Sequence, residues 1–250
     1  MTEWPVEDSP LGRVVVAPDM PAGTALFYTT VDFDGRLDTS SVSRITTFIR
    51  DRFEIDASLT TCRQVHGATV RLAKALGPIA SSWRECDSCD ALWSHQVGTA
   101  LGIKVADCLP VSVVDSEATV VANIHSGWRG TVQKIVAATL DAVAADSLFS
   151  AARALTFLGP TIRQCCFEVG EEVVDEFRRA FGEVTPFVDR SAARPHLDVV
   201  GVTRSLLTAL GIGQDHIYDS GLCTRCDGSM FHSYRRGGKN AGRNLAIVAQ

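Results

Sequence analysis

Apolar residues fall along this chain in two rhythms. VVVA at 14–17 and ALFYTT at 25–30 are short β-branched and aromatic runs bounded by Pro18, Pro21, Gly23 and Asp34, which predicts two strands joined by turns. From 39 to 53 the period lengthens: Val42, Ile45, Phe48, Ile49 and Phe53 recur three and four positions apart, as on a helix with one buried face, and Ser40 and Ser41 are candidate caps at its start. Strand character returns between 60 and 124 in TTCRQV, TVRLA, DALWS, TALGIKVA, PVSVV and ATVVANI. Ile135, Val136, Leu140 and Val143 then form the apolar stripe of a helix over 127–145. ALTFLG at 154–159 predicts a strand, 168–182 an acid-first and base-last helix that complements its dipole, and 200–210 a helix ended by Gly211 and Gly213. HIYDSG, FHSYRR and LAIVAQ return to strand.

Runs of strands interrupted by a few helices, without strict alternation, predict an α/β (α+β) protein with mixed sheets flanked by helices. No repeat, low-complexity tract or linker divides the 250 residues, so a single domain over 1–250 is expected. That length buries a substantial core without disulfides. A hydrophobic fraction of 46% and a charged fraction of 21% are those of an ordinary globular protein. No run approaches the roughly 20 apolar residues of a membrane span. The opening MTEWPVEDSPLGR is acidic and broken by proline where a secretory signal is basic and then apolar, so a cytoplasmic location is expected. A net charge of -5 argues against a nucleic-acid partner, which needs a basic face. The 8 cysteines are therefore expected to serve metal binding or catalysis more than disulfides.

Three stretches carry chemistry: QVHG at 64–67, ADCLPV at 106–111 and HSGWRG at 125–130. Each sets one ligand-type residue, His66, Cys108 or His125, beside a strand-like run. Two imidazoles and a thiolate suit zinc, and three protein ligands leave the open position of a catalytic site. Dispersal over about 60 residues is unlike the paired short loops of a structural finger. Taken singly, each residue has a bland reading: a satisfied strand-end histidine, a small buried hydrophobe, a histidine before a helix cap.

In order and spacing, these motifs resemble the laccase-domain (multicopper polyphenol oxidase-like) family, also called the purine nucleoside phosphorylase or peptidoglycan editing factor family. DALWS at 90–94, GPTIRQCCFEVGEEV at 159–173 and CTRCDGSMFHSYRRGGKNAGRNLAIV at 223–248 extend the resemblance from about residue 60 to the C-terminus. It implies a four-layered α-β-β-α fold and a catalytic zinc on His66, Cys108 and His125. Copper is the less favoured metal. The chain departs from the family pattern before the first helix, where FYTTVDFDGRLDTSSVSR is shorter and lacks the glycine- and serine-rich loop that borders the substrate site in relatives.

Asp107 and Asp90 are the carboxylates nearest the motifs, each able to move protons or simply to hold a turn or a ligand imidazole. Arg63, Arg129, Arg235 and Arg236 are the nearby cations, and Arg63 and Arg129 are the expected substrate-binding pair. For Arg129, a helix start at 127 would add backbone N–H groups for an anion. CDSC at 86–89 and CTRC at 223–226 pair only across a separation above 130 residues, against the usual 15 to 20 or so of a four-cysteine site, and Cys165 and Cys166 read as packing at a helix entry.

The resemblance implies phosphorolysis of adenosine, inosine, guanosine and methylthioadenosine, and deamination of adenosine, with a purine nucleoside and phosphate as small-molecule partners. A first alternative is a cysteine amidohydrolase that edits peptidoglycan precursors, with Cys108 as nucleophile and His125 as base. A copper phenol oxidase fails by counting, because a type 1 copper with a trinuclear cluster takes about ten histidines and the chain has 6. The last alternative is a purely structural zinc. Oligomeric state is not legible.

Overall fold

Two open sheets lie face to face in a computed structural model that describes residues 3–75, 83–147 and 149–250. The chain starts with β1 (Val6–Ser9), β2 (Gly12–Val16) and β3 (Ala25–Thr29), then α1 (Thr39–Phe53) and β4 (Ser58–Cys62). β5 (Val70–Leu72), β6 (Trp83–Cys86), β7 (Ala91–Ser94), β8 (Thr99–Val105), β9 (Leu109–Asp115) and β10 (Val121–Ser126) follow. Next come α2 (Trp128–Val132), α3 (Ile135–Asp146), β11 (Ala154–Leu158), α4 (Glu171–Phe181), a ribbon of β12 (Val188–Asp189) and β13 (His196–Leu197), and α5 (Val199–Ala209). β14 (Ile217–Asp219), α6 (Tyr234–Gly237) and β15 (Asn244–Ala249) complete the chain. One sheet runs β1-β2-β3-β15-β8-β4-β6 and the other β14-β11-β9-β10-β7-β5, each mixing parallel and antiparallel pairs.

Alternation along the strands explains the layers. In β15, Leu245, Ile247 and Ala249 face α1, meeting its Val42, Ile45, Phe48 and Ile49, while Ala246 and Val248 face the other sheet. Between the sheets, Leu101, Ile103 and Val105 of β8 meet Leu92, Val114, Val121 and Phe157. On the far face, Val111, Val113, Ala122 and Ile124 pack under Ile135, Leu140, Val174, Phe177 and Val200 of the helices. Helix, sheet, sheet and helix thus enclose three cores, the mixed α/β arrangement expected from the pattern. Each fully buried leucine or phenylalanine contributes about 1.5–3 kcal/mol. Among the described residues no helix is long and apolar enough to cross a membrane.

Local chemistry shifts several expected elements. α1 spans the expected residues, but its cap is Asp38, whose side chain accepts from Ser41 N–H while the Ser41 hydroxyl accepts from Asp38 N–H. The helix expected over 127–145 is two helices, because Lys134 takes a left-handed conformation at φ 58°. Packing explains the break: α2 must lie against the QVHG turn, where Gln133 Nε2 reaches His66 O at 3.4 Å and a Cβ on Gly130 would stand 3.1 Å from Gly67 O. The anion-binding helix start expected beside Arg129 therefore belongs to five residues only and provides no such site. FHSYRR is not a strand either. Phe231 is buried, and Ser233 caps the short α6 by accepting from Arg236 N–H.

Candidate active site

A buried carboxylate organises the candidate site. Asp90 precedes β7, is fully buried, and accepts the backbone N–H groups of Val65 at 3.2 Å, His66 at 2.9 Å and Gly67 at 2.8 Å. Its Oδ1 also lies 2.8 Å from His125 Nδ1, and its carbonyl accepts His125 N–H at 2.7 Å. Antiparallel pairing of β7 with β10, in which Ala91 faces Ile124, makes this reach possible. Burial favours the neutral acid, but the His125 bond and the N–H groups of Gly67 and His66 outweigh it and hold Asp90 below the usual carboxylate range. An ionised carboxylate only accepts, so Nδ1 of His125 carries a proton and Nε2 is the nitrogen left for a ligand or a metal.

Cys108 is presented by a tight turn between β8 and β9. Asp107 sits there at φ 85°, and its carboxylate is filled by Thr224 Oγ1 at 2.6 Å, Ser233 Oγ at 3.0 Å and Arg235 N–H at 2.6 Å. Its carbonyl accepts Thr161 Oγ1 at 2.7 Å and Ile162 N–H at 3.0 Å. Asp107 thus fastens two distant loops around the turn that aims the thiol.

His66, Cys108 and His125 converge as the sequence predicts, with ligand atoms all within 4.8 Å of one another. The two imidazole rings stand 4.9 Å apart, nearly perpendicular at 82°. Above them the backbone of Gly127 leaves room that a side chain would close: a Cβ there would lie 3.0 Å from Cys108 Sγ and 3.4 Å from His66 Cδ2. The donor set and the glycine cradle fit a three-coordinate metal seat. In the metal-free chain, burial opposes ionisation of Cys108, yet hydrogen bonds with His125 and His66 prevail and lower its pKa to about 6. Burial likewise opposes charge on His125, but Asp90 and Cys108 raise it to about 9. Thiolate and imidazolium therefore coexist between those values.

The trio lies on the wall of a cavity of about 740 Å³. Arg63, Lys104, Arg129, Arg235 and Arg243 line it against two acids, Glu85 and Asp107, so a chain of net charge -5 carries a locally basic site. Arg129 lies 4.2 Å from the Trp128 ring centroid, and Arg235 lies 5.7 Å from that of Phe167 while donating to Glu168 O at 2.9 Å. Arg63 is at the rim, bonded to Ser88 Oγ at 2.9 Å. Arg236 is elsewhere, donating to Thr224 O and Phe231 O. Sequence reasoning missed Lys104, Arg243, Phe167 and Tyr234 as wall residues; the last two lie inside the CFEV and SYRR motifs, which were the available signal.

The two C-x-x-C pairs do not join. Cys86 and Cys89 lie with Cys62, whereas Cys223 and Cys226 gather with Cys165 and Cys166. Cys165 is exposed, so it is not the core packing expected for it.

The family described as multi-copper polyphenol oxidoreductase laccase matches residues 31–250, earlier than the motif at 64 where the resemblance becomes legible, and the chain belongs to that family. Among its relatives, adenosine deaminase RL5 from an unknown prokaryote is 38% identical over 161 residues, 64% of this chain and 61% of RL5. The chain thus spans under two thirds of that relative's length. Purine nucleoside phosphorylase YlmD of Geobacillus stearothermophilus is 32% identical over 76% of this chain and 71% of its own, and a purine nucleoside phosphorylase of Deinococcus radiodurans is 37% identical over 74% and 67%. The crystal structure of YlmD superposes with a TM-score of 0.79 at 26% identity, covering 94% of both chains. The structure of the hypothetical protein YfiH of Bacillus licheniformis gives 0.82 at 22%, covering 98% of both.

Replacing Asp90 by Asn keeps its shape but removes the charge that orients His125. Metal affinity, read by competition with a chelator, is expected to weaken about 10–100-fold; unchanged affinity would show that the bridge is dispensable. In metal-free protein, alkylation of Cys108 by iodoacetamide, followed by peptide mass spectrometry, should be half-maximal near pH 6, the value to which its thiol is lowered. An ordinary thiol titrates near 8.5 or so. A midpoint in that ordinary range would contradict the thiolate–imidazolium pair.

Proposed function

We propose that this protein is a zinc enzyme of purine nucleosides, cleaving them with phosphate to the free base and ribose 1-phosphate and deaminating adenosine. The observation that carries the reading is the convergence of His66, Cys108 and His125 on the wall of a basic, aromatic-lined cavity of about 740 Å³. Relatives named for one or the other activity, an adenosine deaminase and two purine nucleoside phosphorylases, support it. The cavity is within the range of about 300–1,000 Å³ that small-molecule sites occupy.

The residues divide the work. His66 Nε2 or Nδ1, Cys108 Sγ and His125 Nε2 would hold the metal, which supplies Lewis acidity to the chemistry beside them. Trp128, Phe167 and Tyr234 offer flat apolar surface to a purine base. Arg129 and Arg63, joined by Arg235, bind phosphate through planar guanidinium groups. Asp90 keeps the ring of His125 fixed and its Nδ1 protonated. Asp107, whose carboxylate is filled by three donors, acts as a positioning residue for Cys108 rather than as a proton carrier.

The Cys108–His125 ion pair supports a second reading, the cysteine amidohydrolase that edits peptidoglycan precursors, since a thiolate at about 6 beside an imidazolium is the resting form of such a pair. A copper phenol oxidase has no such support, because His66 and His125 are the histidines lining the cavity among the described residues.

Zinc-loaded protein is expected to turn adenosine into inosine with or without phosphate, and to release adenine, or hypoxanthine from inosine, only with phosphate. Cys108→Ala should abolish all of these products and lose one zinc equivalent. No product in either buffer overturns the reading, and amide hydrolysis by a metal-free protein blocked by alkylation of Cys108 replaces it with the second.

A further inference from the structure

Four cysteines that play no part in the cavity come together from two loops far apart in sequence. Cys165 and Cys166 belong to the segment between β11 and α4, and Cys223 and Cys226 to the loop after β14. All four Sγ atoms lie within 4.8 Å of one another. Cys165 Sγ is 3.7 Å from that of Cys166, 3.8 Å from Cys223 and 3.7 Å from Cys226, and Cys166 is 3.4 Å from Cys226. Thiolates about 2.3 Å from a tetrahedral zinc stand at corners roughly 3.8 Å apart. A disulfide requires about 2.05 Å between two of the sulfurs, leaving the other pair unexplained.

The surroundings are those of a thiolate cluster. Arg225 donates from its guanidinium to Cys166 Sγ at 3.6 Å, setting a cation beside sulfurs that would otherwise carry uncompensated charge. Four free thiols have no comparable reason to meet at one point.

We propose that Cys165, Cys166, Cys223 and Cys226 form a second metal site, a closed four-thiolate seat for structural zinc. Its place in the fold gives it a task. Thr161, just before the first cysteine pair, and Thr224, inside the second, both bond to Asp107, at 2.7 Å and 2.6 Å, and Thr224 N–H donates to Thr161 O at 2.9 Å. The metal clamps the two loops that hold the turn bearing Cys108.

Metal analysis of the full chain purified under reducing conditions should find two zinc equivalents. Cys226→Ser should leave one, Cys108→Ala should leave the other, and the combined variant none. Because a cysteine variant can misfold, the second reading uses Cys108→Ala loaded with cobalt: an intense thiolate-to-cobalt charge-transfer band is expected, since this variant retains the four-cysteine seat. The same zinc content in Cys226→Ser as in the unmodified chain, no such band in Cys108→Ala, or a disulfide among the four would each overturn the proposal, whereas a single equivalent that Cys226→Ser removes and Cys108→Ala keeps would support it and count against the seat on the cavity wall. Loss of nucleoside activity with both zinc equivalents present would instead count against the proposed reaction alone.

Discussion

The carboxylate of Asp90 is fully shielded from bulk solvent and finds its compensation within the protein. It finds it in His125 and in three N–H groups of the 65–67 turn, and in doing so joins two motifs 59 residues apart. Each half satisfies the other: the turn gains an acceptor for its N–H groups, and the buried imidazole gains a partner that fixes its Nδ1 proton. Removing one partner of such a buried pair typically costs about 3–5 kcal/mol. The convergence of His66 and His125 therefore follows from a hydrogen-bond requirement that the fold must satisfy anyway.

The sheets make that requirement geometrically cheap. β7 and β10 are neighbours, so Asp90 and His125 meet at the same end of the sheet, and β9 pairs on the other side of β10 with Pro110 opposite His125. Two residues that deliver ligands or their supports, His66 at φ 60° and Asp107 at φ 85°, lie in the left-handed region, where a non-glycine residue costs on the order of 1–3 kcal/mol. Both are paid back by hydrogen bonds at Asp90 and Asp107. Strain concentrated at strand ends, with rigid strands behind it, is how this chain turns a β-core into a site.

Most strands and α1, α4 and α5 were legible because each buries one face or both, which writes period 2, period 3.6 or an unbroken apolar run into the sequence. His66, Cys108 and His125 were legible because each ends such a run. Other features left no local trace. The break at Lys134 answers to the turn it packs against, not to any glycine or proline in the helix. α6 is a strand by composition and a helix by virtue of the Ser233 cap. The cysteine cluster joins positions about 60 residues apart, so spacing rules drawn from short loops favoured no pairing, and the adjacent Cys165 and Cys166 looked like packing. The basic cavity is invisible to net charge because its five cations, four arginines and Lys104, are scattered along an acidic chain.

The central claim is that Asp90 holds an open metal seat of three protein ligands on the cavity wall. Anomalous diffraction above and below the zinc edge, on crystals of the zinc-loaded protein, tests it most directly. The expected result is a zinc peak bonded to His66, Cys108 and His125, with Asp90 on Nδ1 of His125 and the fourth position facing the cavity. Absence of a peak between the three side chains, or a fourth protein ligand closing the site, would contradict it.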